Sequence, residues 1–316
     1  MNYLVTGGAG FIGSVIAKQL IDQGHEVTII DNLSTGYVSN IPNGSFFIKG
    51  DAASEITIEK LNDAKFDAIL HIAGQSSGEI SFEDPIYDLS CNTTSTLRLL
   101  DYAKKIGCKR LIYASSMSVY GEQSGKEKFC ETDIAKPKSF YAVGKLASEQ
   151  YMKIYKQQYD IDYTSLRYFN VYGAGQNLES LKQGMISIYL KQFMDDKFEK
   201  VEIKGALNRF RDVSYVDDIA DVTIECIQNK DFYNDIFNIG SGVKTTVDQM
   251  IELMGNLLDT KKEVIILNGT PGDQFGIYAD NRKLKNIYKK EFIKFEHGLK
   301  LMIDWILTKK EEKNGM

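Results

Sequence analysis

The sequence predicts an α/β protein: a doubly wound parallel sheet with helices on both faces, followed by a smaller C-terminal α/β region. Three observations predict it. Short apolar runs alternate with stretches of helical period through roughly the first half of the chain, the pattern of parallel strands joined by crossover helices. A glycine-rich loop follows the first run and opens the first helix. Beyond about residue 172 the alternation loosens, which separates a first domain, 1–172, from a smaller region, 173–316, with some crossing of chain between the two.

Residues 2–6 read as a buried strand, and 11–23 as a helix with Ile12, Val15, Ile16 and Leu20 on one face. A second strand covers 26–30. Residues 45–49, 67–70 and 110–113 are further apolar runs bounded by polar turns, and 93–105 is helical between them. A long helix runs from Tyr141 to about residue 158, and 162–167 is the next strand. In the second region, 180–195, 217–229 and 246–258 read as helices, and 201–204 and 236–239 as short strands. The charged tail Lys309-Lys310-Glu311-Glu312-Lys313-Asn314 is expected to fray.

With 316 residues and 43% hydrophobic content, the chain can bury a substantial core. A formal net charge of −5 argues against gripping nucleic acid by bulk charge. No apolar run reaches the roughly 18 residues of a membrane span, and the N-terminal apolar residues belong to a strand, not a signal peptide. Cys91, Cys108, Cys130 and Cys226 are scattered, and His25, His71 and His297 show no ligand spacing, so no metal site is expected. Free thiols in a reducing cytoplasm are the expected state. His71, behind the apolar Ile69-Leu70, reads as a packing residue at a strand end. Asp217 and Asp218 read as helix-start carboxylates, and Tyr120 and Tyr172 as packing.

The loop Gly7-Gly8-Ala9-Gly10-Phe11-Ile12-Gly13 satisfies both Gly-x-Gly-x-x-Gly and Gly-x-x-Gly-x-x-Gly. Glycines let the backbone turn tightly and approach a pyrophosphate, and helix N–H groups receive its charge. The next strand ends at Asp31, an acceptor for a ribose 2′-hydroxyl that repels a 2′-phosphate. Asn32 and Leu33 follow without an arginine, so the cofactor expected is NAD. Downstream, Tyr141 and Lys145 are four apart on one helix face. An ammonium beside a phenol favours the phenolate.

These pieces, in order, resemble the extended short-chain dehydrogenase/reductases that act on nucleotide sugars, the NAD-dependent epimerase/dehydratase type, of the UDP-glucose 4-epimerase kind. The resemblance runs along nearly the whole chain. It rests on the glycine loop, Asp31-Asn32-Leu33, Gly50-Asp51, His71-Ile72-Ala73-Gly74, Asn92, Ser115-Ser116-Met117-Ser118-Val119-Tyr120-Gly121, Tyr141 with Lys145, Arg167-Tyr168-Phe169-Asn170-Val171-Tyr172-Gly173, Arg211-Asp212-Val213-Ser214-Tyr215-Val216-Asp217-Asp218 and Asn238-Ile239-Gly240.

The resemblance implies a Rossmann-type fold and assigns roles. Ser116 would hydrogen-bond the sugar hydroxyl, Tyr141 take its proton, and Lys145 bind the nicotinamide ribose and lower the tyrosine pKa together with the positive nicotinamide. The NAD site would take in Gly7, Gly10, Phe11, Ile12, Gly13, Asp31, Asn32, Leu33, Ser34, Thr35, Gly36, Asp51, Ala52, Ile72, Ala73, Gly74, Gln75, Asn92, Tyr141, Lys145 and Phe169. Ser76, Ser77, Ser116, Asn170 and Arg211 would face the sugar nucleotide, Arg211 as a diphosphate fork. A homodimer through helices 93–105 and 141–158 is also implied.

The reaction implied begins with oxidation at C4 of a nucleoside-diphosphate sugar, a hexose or heptose. A 4,6-dehydratase uses an acid pair just after the serine or threonine, and here Met117 and Ser118 stand there. That leaves 4-epimerisation first, a C4 dehydrogenase releasing a 4-keto sugar (from a GDP-heptose, for example) second, and an NAD-sensing binding protein as the non-enzyme reading. Small hydroxyl residues in the segment from Gln75 to Glu79 leave room for a larger sugar; the segment reads equally as a polar loop. Many relatives carry an arginine where Thr270 stands, so the usual diphosphate contacts are open.

Overall fold

A computed structural model of the chain describes residues 1–179, 184–269 and 274–314. Seven parallel strands form the main sheet: β1 (Asn2–Thr6), β2 (Glu26–Asp31), β3 (Phe46–Lys49), β4 (Ala68–His71), β5 (Arg110–Ser116), β6 (Asp162–Tyr168) and β7 (Asp235–Ile239). They lie in the order β3-β2-β1-β4-β5-β6-β7, all in parallel register. The order reverses between β1 and β4, and at that switch point the strand ends open a crevice.

The longer helices are α1 (Phe11–Asp22), α2 (Ser95–Ile106), α3 (Phe140–Tyr159), α4 (Met185–Met194), α5 (Val216–Gln228), α6 (Val247–Leu258) and α7 (Phe295–Asn314). Successive strand residues point to opposite faces, and each face has its own core. Val5, Ile29, Leu70, Ile112, Leu166 and Phe237 meet Ile16 and Leu20 of α1 and Ile219, Val222 and Cys226 of α5. On the other face, Leu4, Ile30, Ile69, Leu111 and Tyr113 meet Leu99, Leu100 and Ala103 of α2 and Met152 of α3. The expected doubly wound sheet is observed.

Several parts of the chain beyond residue 172 return to this sheet. Strand β7 pairs with β6, and α5 packs on α1. Periodicity finds such segments but says nothing of which distant strand they pair with. The smaller region keeps α4, α6, α7 and the strand pair Lys200–Lys204 with Glu263–Leu267. Its core joins Leu190 and Phe193, Val201 and Ile203, Met250 and Met254, and Leu299, Met302 and Ile306.

Several expectations move. The run expected to end at Tyr113 continues to Ser116, so both serines lie in the strand and a 3-10 turn, Met117–Tyr120, follows them. A π-helical turn, Ser90–Thr94, precedes α2. The helix expected over 180–195 is seen as Met185–Met194, with 180–183 outside the described residues. The tail expected to fray continues α7 to Asn314. Apolar Leu299, Met302, Ile303 and Ile306 fix that helix, and Lys310 Nζ donates to the Met194 carbonyl at 3.0 Å.

Candidate active site

A cleft of about 480 Å³ runs along the C-terminal ends of the sheet strands, from the glycine loop to α3. At the loop, Gly7 sits at φ +74°, and a β-carbon there would lie 2.7 Å from the Ala73 nitrogen. A β-carbon on Gly13 would lie 2.1 Å from the Gly7 carbonyl oxygen. Strand β1, the loop and α1 therefore close on one another only with glycine at these points. Gly10 is the N-cap of α1 without a side-chain cap, and the first turn holds no acid. The positive end of that helix is open to the cleft.

Asp31 closes this end. Its carboxylate accepts from the Ala9 N–H at 3.0 Å and the Leu33 N–H at 2.8 Å, which ties the strand end to the glycine loop and aims the group at the cleft. Leu33 reaches that bond from φ +61°. Leu33 and Gly36 do not line the cleft: Leu33 serves Asp31 through its backbone, and Gly36 packs under Ala9. The other expected cofactor residues, Gly7, Gly10, Phe11, Ile12, Gly13, Asp31, Asn32, Ser34, Thr35, Asp51, Ala52, Ile72, Ala73, Gly74, Gln75, Tyr141, Lys145 and Phe169, all line it.

At the other end, the Ser139 side chain caps α3, accepting from the Ala142 N–H at 3.2 Å, so Tyr141 falls in the first turn and Lys145 one turn on. Ser116, the last residue of β5, faces them. Its Oγ donates to Ser118 Oγ at 3.1 Å and accepts from the Ser118 N–H at 3.1 Å. Lys145 Nζ donates to the Ala114 carbonyl at 2.8 Å and lies 5.7 Å from the centre of the Tyr141 ring. Ser116, Tyr141 and Lys145 thus converge on one wall.

The electrostatics differ from the sequence reading. Burial pushes the Tyr141 phenol up to about 12; a hydrogen bond with Ser116 opposes this, and Asp88 adds to it. Burial pushes Lys145 down to about 8, opposed first by Asp88 and then by Cys91 and Glu149. The expected lowering of the phenol by Lys145 is therefore not what the protein alone displays. Helical spacing puts the two groups on one face, but burial is the largest cause of the shift at each of them.

Ser76 and Asn170 line the cleft, and the Asn170 Oδ1 is buried with no partner among the described residues. Ser77 does not line it; its Oγ caps the helix Gly78–Glu83 by accepting from the Ile80 N–H at 3.3 Å. Asn92 lies one layer behind, donating to the Gln75 carbonyl at 2.9 Å. Arg211 is also off the cleft. It donates to the carbonyls of Phe210 at 2.7 Å, Gln274 at 2.9 Å and Phe275 at 3.2 Å. The departure at Thr270 lies outside the described residues. His71 bridges Thr6 Oγ1 at 2.8 Å and Ser95 Oγ at 3.1 Å, a structural link between β1, β4 and α2.

Sequence reasoning missed Tyr37, Asn40, Tyr87 and Gln176, which also line the cleft. They sit on loops or short helices whose composition is unremarkable. Asn40 is held by the glycine loop itself, donating to the Ala9 carbonyl at 3.2 Å. Among the described residues no cluster of histidine, cysteine or acid suits a metal, and no helix is long and apolar enough to cross a membrane.

A dinucleotide loop joined by one cleft to a Ser-Tyr-Lys wall defines a nicotinamide-dependent oxidoreductase of the short-chain type. Comparison with known proteins makes this particular. The NAD dependent epimerase/dehydratase family matches residues 3–240, and the chain belongs to that family, with NAD as cofactor. A putative UDP-glucose 4-epimerase of Methanocaldococcus jannaschii is 34% identical over 304 residues, 96% of this chain and 97% of that one. The UDP-glucose 4-epimerase of Thermotoga maritima, solved with UDP-glucose, has a TM-score of 0.93 at 33% identity over 98% of this chain and 100% of that one. That of Thermus thermophilus, solved with NAD, has a TM-score of 0.90 at 32% identity over 97% and 99%.

Proposed function

We propose that the protein is an NAD-dependent 4-epimerase of a nucleoside-diphosphate sugar, with a UDP-hexose as the first substrate to test. One observation carries the reading: Ser116, Tyr141 and Lys145 meet at one end of the cleft, while among the described residues the carboxylates that line it, Asp31 and Asp51, lie at the other. Beside Ser116 stand Met117 and Ser118, with no acid to eliminate water. The full-length similarity to UDP-sugar 4-epimerases supports the same choice.

The residues fit NAD. The uncapped start of α1 suits a pyrophosphate, the backbone approaches there only because glycine stands at 7 and 13, and Asp31 suits a ribose diol. NAD, when bound, takes up and returns a hydride. Ser116 positions the C4 hydroxyl by hydrogen bonding, and Tyr141 receives its proton at the phenol oxygen. Lys145, as a cation, would stabilise the tyrosinate and hold the nicotinamide ribose when NAD is bound. The buried floor of Tyr113, His71 and Ser115 keeps water from this end. Asn170 offers its unpartnered oxygen to the sugar nucleotide.

Incubation with UDP-glucose and UDP-galactose, followed by product NMR and ultraviolet absorbance of the cofactor, tests the reading. Interconversion without net reduced cofactor is expected. A released 4-keto sugar with reduced cofactor would make the enzyme a dehydrogenase, and GDP-heptoses belong in the same screen. Binding of NAD without turnover of any nucleotide sugar would leave only a sensing role.

Assembly and location are part of the reading. Phe140, Val143, Tyr151 and Ile154 form an exposed apolar stripe along α3, beside exposed Ile86 and Leu89, which suits a homodimer through α2 and α3. Light scattering of Val143→Glu and Ile154→Glu tests it; a dimer unaffected by both refutes it. The four unpaired thiols suit the cytoplasm.

A further inference from the structure

Behind the catalytic wall lies a buried carboxylate that the reaction scheme leaves unused. Asp88, in the short helix Pro85–Leu89, is fully buried. Its Oδ1 accepts from Gln75 Nε2 at 2.8 Å and Asn92 Nδ2 at 3.1 Å. Its Oδ2 is buried with no partner among the described residues, and so is Asn92 Oδ1. The point that a Gly74 β-carbon would occupy lies 2.6 Å from Asn92 Oδ1 and 3.1 Å from Lys145 Nζ. Asn92 Oδ1 and the lysine therefore border one small polar space, with Asp88 bonded behind Asn92 and its Oδ2 3.7 Å from the point a Gly144 β-carbon would occupy, beside Lys145 in the chain. Burial pushes the Asp88 carboxyl above its ordinary range, and the hydrogen bonds from Gln75 and Asn92 and the charge of Lys145 oppose this.

Lys145 is faced from several elements. Asp88 and Cys91 approach from the segment before α2, His71 from β4, Tyr113 from β5 with its ring centre 4.8 Å from Nζ, and Tyr141 and Glu149 from α3 itself. His71 is neutral, since burial pushes it down to about 3. Burial also pushes the Cys91 thiol up, which keeps it neutral. Glu149 already carries Arg167 on both oxygens, at 2.9 and 2.7 Å. Among the described residues that face Lys145, Asp88 is the acid without an ion-pair partner of its own, and Lys145 in turn favours its ionised form.

We propose that Asp88 is a positioning residue for catalysis: its buried carboxylate is the counter-ion that keeps Lys145 an ammonium. The same charge opposes ionisation of Tyr141, so Asp88 holds both groups protonated until substrate and cofactor arrive. The proposal concerns the same wall as the epimerase reading but not its substrate.

The test is an NMR titration of the protein with 13C-labelled lysine Cε and aspartate Cγ, with Lys145 and Asp88 assigned by their loss in K145M and D88N. In Asp88→Asn, which keeps an acceptor for Gln75 and Asn92, the Lys145 midpoint should fall by about one pH unit, the lower end of what a neighbouring opposite charge produces. The coupling is reciprocal, so Lys145→Met should raise the Asp88 midpoint, which decides the matter even if Asp88→Asn does not fold. An unchanged midpoint in either folded variant overturns the proposal. A protein inactive on every nucleotide sugar still titrates, so failure of the epimerase reading shows itself separately.

Discussion

The catalytic helix is fastened to β6, the strand beside the one that carries Ser116, by a buried ion pair, and breaking it makes a quantitative prediction. Glu149 lies four residues beyond Lys145 and eight beyond Tyr141, on the same helix face. Its carboxylate accepts from Ser115 Oγ at 2.6 Å, Ser165 Oγ at 3.3 Å, and Arg167 Nε and Nη2 at 2.9 and 2.7 Å. The side chains of the pair are 0% and 4% exposed. Burial works against the Arg167 charge, but the hydrogen bonds and charge of Glu149 outweigh it and hold its pKa above the ordinary value. In Glu149→Gln the guanidinium is left buried and uncompensated, which costs about 3–5 kcal/mol. For a chain of 316 residues that is a fall of roughly 5–8 °C in Tm. Because Ser115 adjoins Ser116, the wall loses its register too, and turnover should fall at temperatures where the variant is folded. Urea unfolding followed by circular dichroism measures the stability. Glu149→Gln with Arg167→Met should recover much of the loss, since removing both charges leaves none unpaired. A single variant that loses less than about 1 kcal/mol, the scale of a solvated surface pair, would refute this reasoning.

Three further outcomes are expected. Tyr141→Phe keeps NAD affinity, measured by calorimetry, while sugar oxidation falls by about 10²–10⁴-fold, the range for a lost general acid–base group. Gly13→Ala puts a methyl 2.1 Å from the Gly7 carbonyl, where only backbone could give way; NAD binding should weaken by at least about tenfold, 1.4 kcal/mol. His71, neutral in the fold with its pKa pushed from 6.5 to about 3, makes stability acid-sensitive. Between those values the unfolded state binds the extra proton, so stability falls with falling pH by up to about 1.4 kcal/mol per unit. His71→Asn should flatten that stretch of the urea-midpoint profile.

What the sequence revealed, and what it withheld, follow from the range of the interactions involved. Strand β1, helix α1 and the loop between them were legible because alternation, helical period and glycine spacing are local. The pairing of β7 with β6 was not, because those strands are joined only through tertiary register. Arg211 shows the same limit at one residue. Its type suits a diphosphate, and nothing local announces that it donates to the carbonyls of Phe210, Gln274 and Phe275, two of them more than sixty residues away. The catalytic pair shows it most sharply. Spacing gave the shared face of Tyr141 and Lys145, and so suggested a lowered phenol. The sign of the shift is set by what surrounds the face: Tyr113, His71 and Ser115 exclude water, and Lys145 turns to Ala114. Left to itself such a pocket would neutralise the lysine, leaving the tyrosinate without its cation. Ionisation of Tyr141 therefore has to come from charges added around it, and the fold's own contribution is to keep Lys145 charged in a place that disfavours charge. A buried acid at 88, hidden in the apolar-flanked Ile86-Tyr87-Asp88-Leu89, is the residue placed to do so.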